Sequence, residues 1–408
     1  MDNLAVGIGS SSEIDSTKAG MKAAQSAMSS LGNHSPDVAI VFASQRLEYQ
    51  ALLNGIHAVI GDVPMVGGTT AGEISASGLG SDTIVLCLMA SDSLSFHVAS
   101  ASGMKNDEED CGRRLGEKIT HDIKMDKAKS LILFPDGMGG DGVSLLKGLQ
   151  SVLGADFEMV GGFLGDDGRF KETFQFYNGK CYRGDLVTAL MISGEDQFVT
   201  STGVRSGFES IGGRIYCTKA NKNVVEKFED VRALDFYKDL LGEERSKRLP
   251  EICLEYPFGL IDSKATIGEH EYFQLRCGLQ VNEKEGSITL AGSIPEGSAI
   301  TLTTASRADI INGARQAAIQ AQEGLMGALP QLVLMFSCIG RKLVLGRRTS
   351  EEIDIVKQVF GENVPIIGFY TYGEIGPLDK NQKELQAARF HNETVVLWVL
   401  GKKESKVK

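Results

Sequence analysis

The stretch "VPIIGFYTYGEIGP", Val364–Pro377, sets Phe369, Tyr370 and Tyr372 between two glycines and closes on Gly373-Glu374. A plainer version, "VPMVGGTTAGEI", stands at Val63–Ile74 and aligns with it without gaps: Val63-Pro64-Met65-Val66-Gly67 matches Val364-Pro365-Ile366-Ile367-Gly368, and Gly72-Glu73 matches Gly373-Glu374. A weaker third copy, "MVGGFLGDDG", lies between them at Met159–Gly168. A sequence written more than once has to be read as a repeat before any single motif is weighed.

The flanks repeat too. Each copy is preceded by an apolar run, "VAIVFAS", "LILFPDG" or "LVLMFSC", which is too short and too rich in Val, Ile, Leu and Phe for anything but a buried strand. A helical pattern separates run from copy. In the second unit Leu145, Leu146, Leu149, Val152 and Leu153 recur at helical spacing and Gly154 supplies the stop. In the third, Thr349 and Glu352 are spaced for a capping box ahead of Ile353, Val356 and Phe360. Each copy leads into a further strand, "DTIVLCLMA", "DLVTALMIS" or "ETVVLWVLG", and a helical stretch such as "STKAGMKAAQSAMSSLG" opens the unit. The expected fold is therefore α/β (mixed α+β): repeated helix, strand, helix, strand, glycine loop and strand, forming mixed sheets covered by helices.

A long insertion, roughly residues 218–304, separates the second copy from the third. "NVVEKFEDVRALDFYKDLLG" reads as helical, and "YFQLRCGLQVNEKEGSITLAGSIPEGSAITLTT" as strands punctuated by turns. The main boundary is placed near residue 220, giving regions 1–220 and 221–408. Glycine suits the repeated loops because it tolerates positive φ and close backbone approach. A bare turn needs no aromatics and no carboxylate, so Tyr370, Tyr372 and Glu374 ask for more than turn geometry.

Bulk properties narrow the function. A chain of 408 residues is long enough for two or three packed units. Its longest apolar runs are strand-length, so no membrane span is expected, and the start shows no secretory pattern. A net charge of −11 argues against nucleic acid and against an anionic membrane surface as partners. Only the end, "GKKESKVK", is basic, and it reads as a frayed terminus. Seven scattered cysteines, Cys87, Cys111, Cys181, Cys217, Cys253, Cys277 and Cys338, form no CxxC pair and suit a reducing cytoplasm.

The common catalytic signatures fail. There is no phosphate loop and no nucleophile elbow, "GIGSSS" lacks the third glycine of a dinucleotide fingerprint, and His270-Glu271 lacks a second histidine. The six histidines lie far apart, and the adjacent Asp166 and Asp167 are a weak cation signal. The better constellation is "FSCIGRKLVLGRR", Phe336–Arg348, at the end of a buried strand, where layered α/β folds bind ligands. Arg341, Arg347 and Arg348 offer planar forks for a carboxylate, and Cys338 becomes a nucleophile only if those arginines lower its pKa. Gly368, Tyr370, Tyr372, Gly373 and Glu374 would supply the opposite charge and aromatic walls, joined by the matching Gly67, Thr69, Thr70 and Glu73. Together they suit an amino acid or similar small carboxylate.

"FSCIGR", "VPIIGFYTYGEIGP", "VPMVGGTTAGEI" and the insertion's "IPEGSAITL" resemble the signature segments of the FIST family over most of the chain. The resemblance implies a non-enzymatic sensory domain for small ligands, amino acids among them, with FIST N-terminal and C-terminal regions. Relatives are joined to chemotaxis receptors, kinases or cyclic-dinucleotide enzymes; this chain leaves no room for such an output, so a separate signalling partner is expected. Two alternatives are a haem-binding nitric-oxide sensor with a histidine ligand and an enzyme using Cys338. No metal and no other cofactor is expected.

Overall fold

Each apolar run becomes the central strand of a sheet. The computed structural model describes residues 4–75, 77–267, 270–379 and 382–404. The strands Val38–Ala43, Ala128–Pro135 and Leu329–Cys338 each pair parallel with a glycine strand, respectively Met65–Thr69, Met159–Gly162 and Ile366–Thr371. On the other side each pairs antiparallel with the unit's last strand, Ile84–Ser91, Leu186–Gly194 or Val395–Lys402. Parallel neighbours require a crossover, and the helices Tyr49–Ile60, Gly142–Leu153 and Thr349–Phe360 provide it.

A fourth strand opens every sheet. Leu4–Ser11, Leu94–Ser102 and Phe198–Arg205 pair antiparallel with the last strands of the three units. They were not expected, because "LAVGIGSS" and "LSFHVASAS" mix small and polar residues with few large apolar ones. Such a composition is tolerated at a sheet edge, where one side of the strand needs no partner. Phe198–Arg205 precedes the insertion, so the third sheet is closed by residues from both sides of it.

The three sheets exchange hairpins in a ring. Glu73–Ser75 and Gly78–Gly80 join the third sheet through Ile366–Thr371. Phe174–Tyr177 and Lys180–Arg183 join the first through Met65–Thr69. Glu374–Pro377 and Ala388–His391 join the second through Met159–Gly162. The sequence Gly-Glu or Gly-Asp after each glycine strand marks where the chain leaves its own sheet for a neighbour's.

Alternation along the central strands explains why they are apolar throughout. Val38, Ile40, Phe42, Ile132, Phe134, Leu332, Leu334 and Phe336 face one shared core with Phe369 and Trp398. Ala39, Val41 and Ala43 face the outer helices of the first unit; Leu131 and Leu133 do so in the second, Val333 and Met335 in the third. Phe42, Phe134, Phe336 and Phe369 meet at the centre, with Phe42 and Phe369 centroids 4.6 Å apart.

Two local expectations change. Gly368 lies inside a strand and not in a turn, and its φ is not positive: a Cβ there would fall 1.8 Å from the Met335 carbonyl oxygen. Its counterpart Gly67 has both constraints, with φ +136° and a Cβ position 2.0 Å from the Val41 carbonyl oxygen. Thr349 and Glu352 form no capping box. Thr349 donates back to Gly346 O at 2.6 Å, and the Glu352 carboxylate is drawn away by Arg341. The capping box occurs at Ser306 and Asp309, ahead of the helix Arg307–Gly324.

In the insertion, "NVVEKFEDVRALDFYKDLLG" is helical only over Ala233–Leu241. Val224–Phe228 is a strand, because Val224 and Val225 pair with Thr289 and Ile288. The strands His270–Arg276, Gly278–Asn282, Ser287–Leu290 and Ala299–Thr304 follow as expected. The insertion packs onto the third unit's exchanged hairpin, where Arg389 Nη1 donates to Asp262 Oδ2 at 2.6 Å and Arg276 Nη1 to Phe390 O at 3.4 Å.

Candidate functional site

The central strands end alike. The N–H groups of Ser44, Asp136 and Cys338 donate to the carbonyls of Thr83, Leu186 and Thr394 at 2.9, 3.0 and 3.0 Å. Just before each of these carbonyl-bearing residues an acidic residue turns the chain in the left-handed region: Asp82 (φ 57°), Asp185 (φ 56°) and Glu393 (φ 53°). A non-glycine residue rarely adopts this conformation, and here it sets an acid beside the end of each central strand.

The three acids differ in their partners. Asp82 faces the Arg46 guanidinium at 3.8 Å and the Ser44 hydroxyl at 3.5 Å. Asp185 Oδ1 accepts from the Lys105 N–H at 2.8 Å. Glu393 is fully buried, and among the described residues neither of its carboxylate oxygens has an N–H or O–H donor; the Cys277 thiol is a weak donor beside it. Burial first, and then the neighbouring Glu374 carboxylate, push its pKa up to about 8, with Arg341 and the Cys277 thiol pulling the other way. The carboxylate lies so close to Gly340 that a Cβ there would fall 1.9 Å from Oε1.

Glu393 borders a cavity of about 230 Å³ between the third unit's strand ends, the loop carrying Phe170, and the insertion. The walls are mostly apolar, with Leu254, Ile339 and Tyr372 among them, and Leu343, Leu279 and Phe170 stand exposed around it. Phe170 stacks on Tyr372 with centroids 4.4 Å apart. Among the described residues lining it, Asn392 also has a buried atom without a partner, its Oδ1, and Glu251 stands exposed at the rim. Among the described residues no lysine or arginine lines the cavity. A mostly apolar space bordered by a buried unpaired carboxyl group and a buried unpaired amide oxygen suits a donor-rich or cationic group.

The site residues expected from sequence fall into three groups. Cys338 and Tyr372 line this cavity. Tyr372 holds the loop of the second unit: its hydroxyl donates to Asp166 Oδ1 and accepts from the Gly168 N–H at 3.0 Å. Cys338 is buried, and burial, with Glu374 and Glu393 beside it, raises its thiol well above the ordinary value, the reverse of what an activated nucleophile needs.

Arg341, Tyr370, Glu374, Glu73, Thr69 and Thr70 are buried in structural bonding. Arg341 Nε donates to Glu352 Oε1 at 2.7 Å, Nη2 to Ile310 O at 2.8 Å and Nη1 to Ser206 O. Tyr370 donates to Glu352 Oε2 at 2.8 Å, as Ser337 does at 2.9 Å. Glu374 accepts from Thr371 Oγ1, from Thr394 Oγ1 at 2.7 Å and from the Thr394 N–H at 3.1 Å. Glu73 accepts from Thr70 Oγ1 and Thr83 Oγ1, both at 2.6 Å, and Thr69 Oγ1 accepts from the Phe174 N–H at 3.0 Å. Thr-x-x-Glu with a second threonine is thus a buried clasp at the start of an exchanged hairpin. Burial pushes both glutamates up to about 7, against the pull of the threonine hydroxyls.

Arg347 and Arg348 stand apart from the cavity: Arg347 is exposed and Arg348 pairs with Glu351 at 2.8 Å. Gly67 and Gly368 serve strand contact, and Gly373 leaves room for the Phe390 ring. Asp166 and Asp167 lock loops: Asp166 accepts from the N–H groups of Phe170, Lys171 and Glu172, and Asp167 from Ser44 Oγ and Gln45 N. Of the histidines, His34, His57, His97 and His121 are exposed. His391 is buried between Gly376 O and the Tyr272 hydroxyl, and burial pushes its pKa down to about 3. The side chain of His270 lies outside the described residues, as do residues 405–408 of the basic end.

Sequence reasoning missed Glu393, Asn392, Gly340 and Phe170. The signal for Glu393 was present: "SDT", "GDL" and "NET" stand at the same place before the last strand of each unit. An acid in a turn is commonplace, and what sets Glu393 apart is the partners its two counterparts have and it lacks.

Comparison with known proteins adds the family. The FIST N domain model matches residues 37–230 and the FIST C domain model residues 233–377. No curated protein matches. Among solved structures, a cyanuric acid hydrolase from A. caulinodans shares 7% identity at a TM-score of 0.41, over 98% of this chain and 100% of that one. A chorismatase shares 8% at 0.37, over 98% of each. With both domain models matched over most of its length, the chain belongs to the FIST family, whose domains are sensory domains of signal transduction.

Proposed function

We propose that this FIST protein is a sensor for a small amine with an apolar body, held in the cavity beside Glu393. One observation carries the reading: a fully buried carboxylate with no N–H or O–H partner among the described residues, on a residue that lines a mostly apolar cavity. Leaving such a group unpaired is costly, and a ligand ammonium removes the cost by supplying both the opposite charge and the hydrogen-bond donors. Phe170 and Tyr372 add aromatic faces, which attract cations. Because no arginine or lysine among the described residues lines this cavity, a ligand carboxylate finds no cationic partner among them. The reading is therefore of an amine, or of an amino-acid derivative whose carboxyl group is masked or left outside. The ligand-bound state would be read by a separate cytoplasmic signalling protein.

The alternatives fit the geometry less well. A Cys338 enzyme would have to work with a thiol whose pKa is raised, flanked by acids. A haem site would need an axial ligand, and no histidine among the described residues lines this cavity.

The proton on Glu393 makes the proposal testable. With a pKa of about 8 the empty site holds its proton at pH 7. An ammonium ligand favours the ionised form, so binding releases a proton, and affinity rises as pH goes from 6 to 8. Calorimetry with 2-phenylethylamine in two buffers of different ionisation enthalpy should count that proton, and Glu393→Gln should abolish the release and weaken binding. Equal binding of 2-phenylethanol, or binding with no proton release, would overturn the reading.

A further inference from the structure

We infer that the protein has a second ligand site, for a small organic carboxylate, centred on Arg205. This site does not depend on the reading of Glu393. A cavity of about 290 Å³ lies at the same end of the third sheet, between the edge strand Phe198–Arg205, the helix Arg307–Gly324 and the insertion. Arg205 is the last residue of that strand and stands opposite Val395.

Only one nitrogen of its guanidinium is engaged. Nη1 donates to Val204 O at 2.7 Å and to Gln320 Oε1 at 2.6 Å; Nε and Nη2 make no hydrogen bond among the described residues. Those two nitrogens form the side of the guanidinium that takes both oxygens of a carboxylate through two parallel bonds. Arg205 is half-buried and, among the described residues, is the only cation lining the cavity. Burial lowers its pKa and so works against its charge, while Asp379 and Tyr272 act the other way.

The remaining walls define the ligand. Tyr272, Phe273, Leu275 and Leu378 form an apolar side. Asn312 and Gln316, a helical turn apart and exposed, face the cavity with no hydrogen bond among the described residues. Two acids also line it. Asp309 is exposed and held in its capping box by the Ser306 N–H at 3.0 Å, and Glu209 is exposed. Both carboxylates stand at the solvent side, and the guanidinium lies farther in. The cavity thus fits an anion with a compact apolar body that enters charge first. Thr394 lines this cavity, and its neighbours Asn392 and Glu393 line the other, so the two are separate spaces on either side of one turn.

Fluorine NMR with 4-fluorobenzoate and 4-fluorobenzamide tests the site. Saturable broadening of the benzoate signal is expected, with the neutral amide at least about tenfold weaker. Arg205→Met should weaken benzoate binding at least about tenfold, and Glu393→Gln should leave it unchanged. Equal binding of acid and amide to the wild-type protein overturns the inference even where Arg205→Met fails to fold. So do the absence of benzoate binding at millimolar concentration, wild-type affinity in a folded Arg205→Met variant, and loss of benzoate binding in Glu393→Gln. Failure of 2-phenylethylamine to release a proton would bear on the Glu393 cavity alone.

Discussion

Glu393 makes the empty protein pH-sensitive in a definite direction. Its folded pKa of about 8 exceeds the ordinary carboxylate value of 4.5, so the folded state keeps a proton that the unfolded chain gives up. Stability from this group is whole below pH 4.5 and falls as pH rises towards 8. Glu374 and Glu73, each pushed up to about 7, act in the same sense over a narrower window. Glu393→Gln carries no proton to lose. It should raise the melting temperature at pH 8 and flatten its decline between pH 5 and 8; a variant as pH-dependent as the wild type would move the effect elsewhere. The residue scale also has an opposite case in Arg341. The sequence placed it at a strand end, and it is at one, but its fork is spent on Glu352, Ile310 and Ser206. Whether an arginine meets a ligand or a glutamate two helical elements away depends on three-dimensional packing that spacing does not encode. Arg341→Met should destabilise the protein by about 3–5 kcal/mol by leaving Glu352 buried and unpaired. Adding Glu352→Leu should recover part of the loss in a denaturant titration, and no recovery would mean that the pair matters for more than mutual compensation.

Among the elements, buried ones were legible and edge ones were not. "VAIVFAS", "LILFPDG" and "LVLMFSC" are apolar on both faces because one face meets the shared core and the other the helices, and that pattern marks a strand on its own. Leu4–Ser11 and Leu94–Ser102 have no such pattern, since they sit at edges and keep their place by pairing with the last strand of the unit. "NVVEKF" went wrong for a related reason: its valines face a strand more than sixty residues on. The glycine strands were found through their repeat, although the reason for glycine differs between copies. At Gly368 it is the Met335 carbonyl oxygen, 1.8 Å from where a Cβ would stand. Backbone cannot yield as a flexible side chain can, so even Gly368→Ala should cost about 1–3 kcal/mol or more by forcing apart the two parallel strands. An unchanged melting temperature would show that the strands separate freely at that point.

At the scale of the whole molecule, the ring of exchanged hairpins ties the units together. Removing any one unit takes the outer hairpin from one neighbouring sheet and leaves the hairpin donated by the other without a glycine strand to pair with. The shared phenylalanine cluster draws on all three sheets, so no unit keeps a complete core alone. The exchange itself was invisible in the sequence: the Gly-Glu step announces a turn, and nothing local says that the next strand pairs with another unit. The single tryptophan tests the consequence. Trp398 belongs to the third unit, but its indole N–H donates to Ser130 Oγ at 3.0 Å and Glu158 Oε1 at 3.1 Å in the second, and it is fully buried. Its fluorescence therefore reports separation of those two units, while far-UV circular dichroism reports secondary structure throughout. If the ring unfolds as one body, the two signals should share one urea midpoint. A fluorescence transition at clearly lower urea, with most ellipticity retained, would mean that the third unit parts from the second while its sheets survive, and the hairpins would then be loose connections and not the ties that make three sheets one molecule.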